Sequence, residues 1–482
     1  MTVTIDGGTL TLDRLVRVAR QGEQVQLDAT ARERMARSRA VAEAAFARGE
    51  RVYGLTTGYG VQKRAAVEAQ QVAEFNRRQL HDHAVAQGPV AADDEARATM
   101  LVLANQFATG STCVRPALAV LLVEALNDRR TPAMRTLGSI GMSDLGPMSD
   151  LAEALVGDLP LEAGEGLALI NTSAFGTATA ALAICDTQTL LDSADVAAAL
   201  ALEGFGANLS ILNPAVEHVR PHAGLAEAAA RFRDLLEGSY LWDPGAARNL
   251  QDPLTFRSTA GVQAAARGVL AHAAKVLAIE LNAAQGNPLV VADEDRIVSA
   301  AAYETLPLAA ALDYARIGLA SALTSASERA VKLLDTPWSG LPTGLSSSAA
   351  GSPDLGLSIH AIAAQSLAGE AALLAQPVSF TLLSTAGAEG VEDRATFLPL
   401  SARRLVEMVR LGAGVIAIES LVAAQAVEVR GARPLGRGTS AALRIVRSAI
   451  PFTGPGDPVA ADAEPLRDLV LTGALALRGS AR

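Results

Sequence analysis

LSARRLVEMVRLGAGVIAIESLVAAQAVEVR, from Leu400 to Arg430, runs without a proline, and its apolar residues fall on more than one face of a helix drawn through it. A helix that is apolar most of the way round has to be enclosed by other helices, from its own chain or from other copies. The stretches Ala301 to Leu334 and Leu355 to Ala375 read the same way, with little Pro or Gly inside. Alanine dominates the chain, and Ala with Leu, Arg and Glu at helical spacing belongs to buried or half-buried helices. The fold class that follows is all-α, a long central helical bundle with few strands, in an oligomer.

The chain has 482 residues, a formal charge of −10 from 41 basic and 51 acidic residues, and two cysteines. That length can bury a large core, in two or three domains or as one long helical body with a lobe attached. An acidic balance without a basic block argues against nucleic acid as a partner, because phosphate neutralisation needs clustered Lys and Arg. A small molecule is the expected partner. Cys113 and Cys185 form no CxxC pair and predict neither a disulfide framework nor a thiolate metal site. The start, MTVTIDGGTLTLDRLVRVAR, lacks an apolar signal core. Apolar stretches such as Gly412 to Val429 are interrupted by charges like Glu419 and fall short of the roughly 18 to 20 residues of a membrane span. The expectation is a soluble cytoplasmic protein without membrane contact.

The first part of the chain reads differently. Gly and Thr punctuate GLTTGYG (Gly54 to Gly60), GSIGMSDLGP (Gly138 to Pro147) and NTSAFG (Asn171 to Gly176), each beside a helical run. Loops at helix ends make backbone amides available to a ligand. A soft boundary near Phe205 to Pro214, within GFGANLSILNP, divides a smaller loop-rich N-terminal lobe (1–205) from the long-helix bundle and C-terminal helices (206–482). Tyr53 stands at the root of the first loop in a chain with only five tyrosines. A phenol titrates near pH 10, so it needs activation by neighbours to serve as a base. His81-Asp82-His83 is the one histidine cluster, and without a third ligand at readable spacing it predicts no metal.

Taken together these loops resemble the histidine and phenylalanine ammonia-lyase family. The matches are dispersed but collinear: Tyr53-Gly54 with Thr57-Gly58-Tyr59-Gly60, His83-Ala84, Asn105, Val114-Arg115-Pro116 and Gly138-Ser139-Ile140-Gly141. They continue through EGLALIN (Glu165 to Asn171), Arg220-Pro221-His222, Gln251-Asp252-Pro253, Arg257, Asn287-Pro288-Leu289, Ser327-Glu328-Arg329 and Glu392-Asp393. The resemblance spans nearly the whole chain. It implies a mainly helical homotetramer with sites built from loops of several subunits. It also implies a chemistry, in which an Ala-Ser-Gly tripeptide cyclises into a methylidene-imidazolone electrophile and a tyrosine takes the β proton.

In this chain the corresponding stretch departs from that pattern. If Asp144-Leu145-Gly146-Pro147 matches the family's Asp-Leu-Ala-Pro, only Met142-Ser143 remain of the tripeptide; without a gap, the tripeptide is Met142-Ser143-Asp144. Ring closure needs the third residue's amide nitrogen to attack the first residue's carbonyl in a compressed turn, which glycine permits. The expectation is a degenerate motif and no methylidene-imidazolone cofactor. Leu254 stands where the family's QDPY carries a tyrosine, and Ala302-Tyr303-Glu304 replaces Asn-Phe-His. Arg394 replaces a histidine after Glu392-Asp393, and Gly286 replaces an aspartate before Asn287.

The resemblance makes Tyr53 the base and Arg257 the carboxylate anchor, whose planar fork suits that task. Asn171, Gln251 and Glu392 would orient the substrate, Asp82-His83 would select it, Leu254 would line its site and Tyr303 would add a second phenol. The expected function is elimination or addition β to a carboxylate on a histidine-like or aromatic amino acid, without the electrophile. A standard histidine or aromatic amino acid ammonia-lyase, and a non-catalytic scaffold or partner subunit of the same fold, stand as the alternatives.

Overall fold

The computed structural model describes all of the chain except Met1 and residues 347–353, 382–386, 455–456, 458, 460–461 and 478–482. Helix dominates, as the sequence predicts, and the longest helices are Ala174–Phe205, Thr259–Glu280, Leu306–Leu334 and Leu398–Val429. The stretches expected at Leu355 to Ala375 and Leu400 to Arg430 appear as Ser358–Leu374 and Leu398–Val429. The helix expected from Ala301 starts only at Leu306. Pro307 suits a first turn because it has no N–H to leave unpaired there. Before it, buried Thr305 places its hydroxyl 3.2 Å from that of Thr396. Residues 300–305 therefore form a loop.

Close packing groups the chain into two units, one of Met1–Ala183, Ala273–Leu312 and Pro377–Arg403, the other of Ile184–His272, Asp313–Gln376 and Arg404–Arg482. The first unit is organised around Asp93–Ala108, which opens on Asp93, Asp94 and Glu95, charges that favour a helix N-terminus, and buries every residue from Ala96 onward. Buried amides must be paired. Asn105 on this helix accepts from the Gly7 amide at 2.9 Å and donates to the Leu281 carbonyl at 2.8 Å, while Gln106 donates to Gln285 at 2.9 Å. Three two-stranded ribbons complete the unit: Thr2–Ile5 parallel with Gln24–Leu27, and Gln87–Val90 with Arg135–Leu137 and Leu289–Val291 with Arg296–Val298, both antiparallel.

In the second unit, Arg329 and Glu419 meet inside the helical core, with Nε donating to Oε1 at 2.6 Å and Nη2 to Oε2 at 3.2 Å. Buried Asp195 takes Arg231 at 2.8 Å and also Arg267. The rings of Phe205 and Phe256 stack with centroids 4.0 Å apart.

The expectation that no stretch is long and apolar enough to cross a membrane is overturned for three segments, Glu165–Phe205, Thr259–Glu280 and Leu306–Leu334. That expectation rests on Gly412 to Val429, where Glu419 intervenes; each of these three instead contains an apolar window of 18 residues with at most two charges. In Glu165–Phe205, 89% of the apolar window is buried inside the protein, so its apolarity serves internal packing.

Candidate active site

Six loops of the first unit converge on one cavity of about 460 Å³, a size suited to a small molecule. Tyr53, Tyr59, His83, Met142, Asn171, Tyr303, Glu304, Glu392 and Arg394 all line it. Tyr53 is placed by the glycine loop that follows it. Gly54 has φ +67°, and a Cβ there would lie 2.2 Å from Leu167 Cδ2, so the turn that presents the phenol requires glycine. The amide of Gly60 donates to Tyr53 Oη at 3.0 Å.

That bond favours the phenolate, yet burial raises the Tyr53 pKa more strongly and the charge of Glu392 adds to the rise. Burial, with Asp82 and Tyr53 as further causes, pushes Tyr59 up to about 12. Tyr303 is likewise raised by burial, then by Tyr53, Glu392 and Glu304. The three phenols are protonated at neutral pH.

On the ring side, Tyr59 packs tilted against His83 at 5.1 Å and Phe75 at 5.8 Å between centroids. His83 Nδ1 lies 2.8 Å from the Gln79 carbonyl, which accepts and so fixes Nδ1 as the donor. His81 is exposed and faces Glu153 instead, and Asp82 lines the neighbouring pocket that shares Tyr59 and His83. Among the described residues no group of three or more His, Cys, Asp or Glu side chains is arranged to hold a metal ion.

The loop at Met142, Ser143 and Asp144 reaches the cavity at Met142, with Ser143 and Asp144 buried behind it. Ser143 takes φ +67° and its hydroxyl donates to Asn171 Oδ1 at 2.5 Å. Asp144 is fully buried: its amide donates to the Thr172 carbonyl at 2.7 Å, and its carboxylate accepts from Ser139 Oγ at 2.6 Å and the Gly176 amide at 2.8 Å. Burial raises its pKa to about 6 against the pull of those two donors. Asn171 Nδ2 donates to the Asn287 carbonyl at 2.9 Å, and Asn287 Oδ1 accepts from the Ala300 amide at 2.9 Å. Both ends of the Asn171 amide are therefore engaged, and its place in the described structure is to join three loops.

Gln251, Leu254 and Arg257 belong to the second unit and are not among the residues lining this cavity. Leu254 is 67% exposed, and Arg257 donates from Nε to the Asp252 carbonyl at 2.7 Å. Sequence reasoning did not single out Tyr59, Lys63 or the pairing of Glu304 with Arg394. Tyrosine scarcity was the available signal for Tyr59, since three of the five tyrosines line the cavity.

The sequence pattern of aromatic amino acid lyases matches residues 10–160 and 158–448, most of the chain. The chain belongs to the aromatic amino acid lyase family. Among relatives in that family, the histidine ammonia-lyase of Symbiobacterium thermophilum is 35% identical, over 97% of this chain and 96% of the relative. The histidine ammonia-lyase of Treponema denticola is 31% identical, over 93% and 92%. Among solved structures, the ergothioneine-degrading ergothionase of Treponema denticola superposes with a TM-score of 0.94 at 27% identity, covering 98% of this chain and 99% of that one. The tyrosine aminomutase of Streptomyces globisporus gives 0.92 at 28%, covering 98% of each.

Proposed function

We propose that this chain is an amino acid lyase that moves a proton at Tyr53 and works without the methylidene-imidazolone electrophile. The substrate is a histidine-like or aromatic amino acid. The observation that carries this reading is the cavity lining: a phenol held by a backbone amide, beside Glu392 and two further phenols, next to a loop whose middle residues are Met142, Ser143 and Asp144. The base takes a proton from one carbon of the Cα–Cβ bond, the electron pair forms the double bond, and the leaving group departs from the other carbon.

The residues of the Met142 to Asp144 loop do not fit the electrophile. Its formation needs the third residue's amide nitrogen turned onto the first residue's carbonyl, and the Asp144 amide instead donates to Thr172 while its carboxylate is anchored by Ser139 and Gly176. Without covalent activation, expelling a simple amine forfeits what an electrophile supplies, so the substrate carries a better leaving group. A cationic leaving group suits a lining of phenols and carboxylate, through cation–π and ionic attraction. It also offsets the Glu392 charge, which adds to the rise that burial gives the Tyr53 pKa, so substrate binding shifts Tyr53 toward the phenolate. The likeness to the ergothioneine-degrading enzyme and to histidine ammonia-lyases supports an imidazole-type substrate.

By resemblance, Arg257 anchors the α-carboxylate with Gln251 and Leu254 nearby, in a cytoplasmic homotetramer. The 35% identity to a histidine ammonia-lyase favours a second reading, ordinary ammonia release from histidine. The test is ultraviolet detection of an unsaturated acid on incubating the purified chain with histidine, phenylalanine, tyrosine and ergothioneine. Turnover confined to substrates with a better leaving group than ammonia supports the proposal. Rapid turnover of histidine alone supports the second reading, and none with any substrate favours a non-catalytic role.

A further inference from the structure

Two replacements that stand ninety positions apart in the sequence meet in the cavity wall. Arg394, in place of the family's histidine, donates from Nε to Oε2 of Glu304, also in place of a histidine, at 2.8 Å. The other oxygen of Glu304 accepts the Leu306 amide at 2.9 Å, at the start of the Leu306–Leu334 helix. Glu304 is thus fixed at both oxygens, and it fixes the edge of the guanidinium that carries Nε. Among the described residues no hydrogen bond is found from Nη1 or Nη2, and the side chain is 53% exposed. The other cation lining the cavity, Lys63, is bonded to Glu389 at 2.8 Å. A guanidinium held along one edge and open along the other offers the planar two-donor geometry that a carboxylate matches.

We propose that Arg394, positioned by Glu304, receives a carboxylate of the substrate inside this cavity, an assignment that rests on the amino-acid reading above. It adds a second acid-binding cation, in the same unit as Tyr53, to the one that resemblance places at Arg257. The carboxylate is either the one at the end of the amino-acid chain or one borne by the ring.

Non-reactive ligands test this apart from catalysis. 3-(Imidazol-4-yl)propanoate and 3-phenylpropanoate carry the acid at the chain end, 4-ethylbenzoate carries it on the ring, and 4-ethylimidazole carries none. Isothermal titration should show the wild-type protein binding at least one of the acids. Arg394→Gln should bind that acid at least about tenfold more weakly and 4-ethylimidazole unchanged, which also reports an intact cavity. The acid whose binding falls identifies which carboxylate Arg394 reads. Glu304→Gln should weaken the same acid, and that effect should vanish in the Arg394→Gln background, because a positioning residue acts only through its partner. Equal acid binding by wild type and Arg394→Gln, or wild-type binding of none of the acids, overturns the proposal. Turnover by the wild type, measured separately, reports on the lyase reading whatever Arg394 does.

Discussion

At Tyr53 two influences oppose each other: the Gly60 amide stabilises the phenolate, and burial with the Glu392 charge disfavours it more. A base whose pKa is raised is largely protonated at neutral pH, so the fraction ready to accept a proton grows as pH rises. Turnover should therefore climb with pH on the alkaline side, and a substrate with a cationic leaving group should bring that limb to lower pH than a neutral one. Tyr53→Phe keeps the ring and its packing, and should lower turnover by about a hundred- to ten-thousand-fold while removing the limb. Wild-type turnover in a folded Tyr53→Phe would assign the base elsewhere. Asp144 gives the opposite sign for stability. Its carboxyl has a pKa of about 6 in the folded chain against an ordinary 3.8, so between those values the folded state holds the proton that the unfolded state has lost. Stability falls as pH rises through that window, by about 3 kcal/mol in all. Asp144→Asn keeps an acceptor for Gly176 and loses the titration, so its denaturation midpoint should gain on the wild type between pH 4 and pH 7. A constant difference would mean that the carboxylate is not held in the dry interior. At this scale the sequence was legible where a rare residue sits on a glycine loop, as Tyr53 does. The Glu304–Arg394 pair was not, because each replacement is meaningful only beside the other.

The long helices were readable because their composition is repetitive, with no proline beyond the first turn and few glycines inside; their ends were not. Nothing within Ala301 to Thr305 opposes helix, but Pro307 does, because in a helix begun at Ala301 its ring would meet the Tyr303 carbonyl. The loop before it is then fixed by the Thr305 hydroxyl reaching Thr396 and by Tyr303 and Glu304 lining the cavity. The short ribbons, such as Leu289–Val291 with Arg296–Val298, carry too few residues for alternation to stand out. In the second unit, Arg329 lies on the Leu306–Leu334 helix and Glu419 on the Leu398–Val429 helix, and both side chains are essentially inaccessible. Removing one charge strands the other in the core, so Glu419→Gln should cost about 3 to 5 kcal/mol. Replacing both, as Arg329→Met with Glu419→Leu, should recover much of that loss. Thermal denaturation of the two variants distinguishes a core ion pair, where the single change is the worse, from two independent contacts, where the double is.

The whole molecule exposes apolar side chains that a single chain leaves uncovered. Ile359, Ile362 and Leu373 on the Ser358–Leu374 helix are 58%, 62% and 68% exposed, while the residues that helix buries are Ala364, Ala368 and Ala371. A helix with its larger residues outward is packed for an oligomer. Light scattering should give the mass of a tetramer, and a stable monomer at micromolar concentration would refute the shared-site arrangement. The central claim, lyase chemistry without the electrophile, turns on the covalent state of residues 142–144. Forming a methylidene-imidazolone removes two waters, about 36 Da, by cyclisation and serine dehydration. The most direct measurement is the intact mass of the purified chain with peptide mapping across Met142 to Leu145. The account predicts the unmodified mass; a deficit of two waters located in that peptide would contradict it.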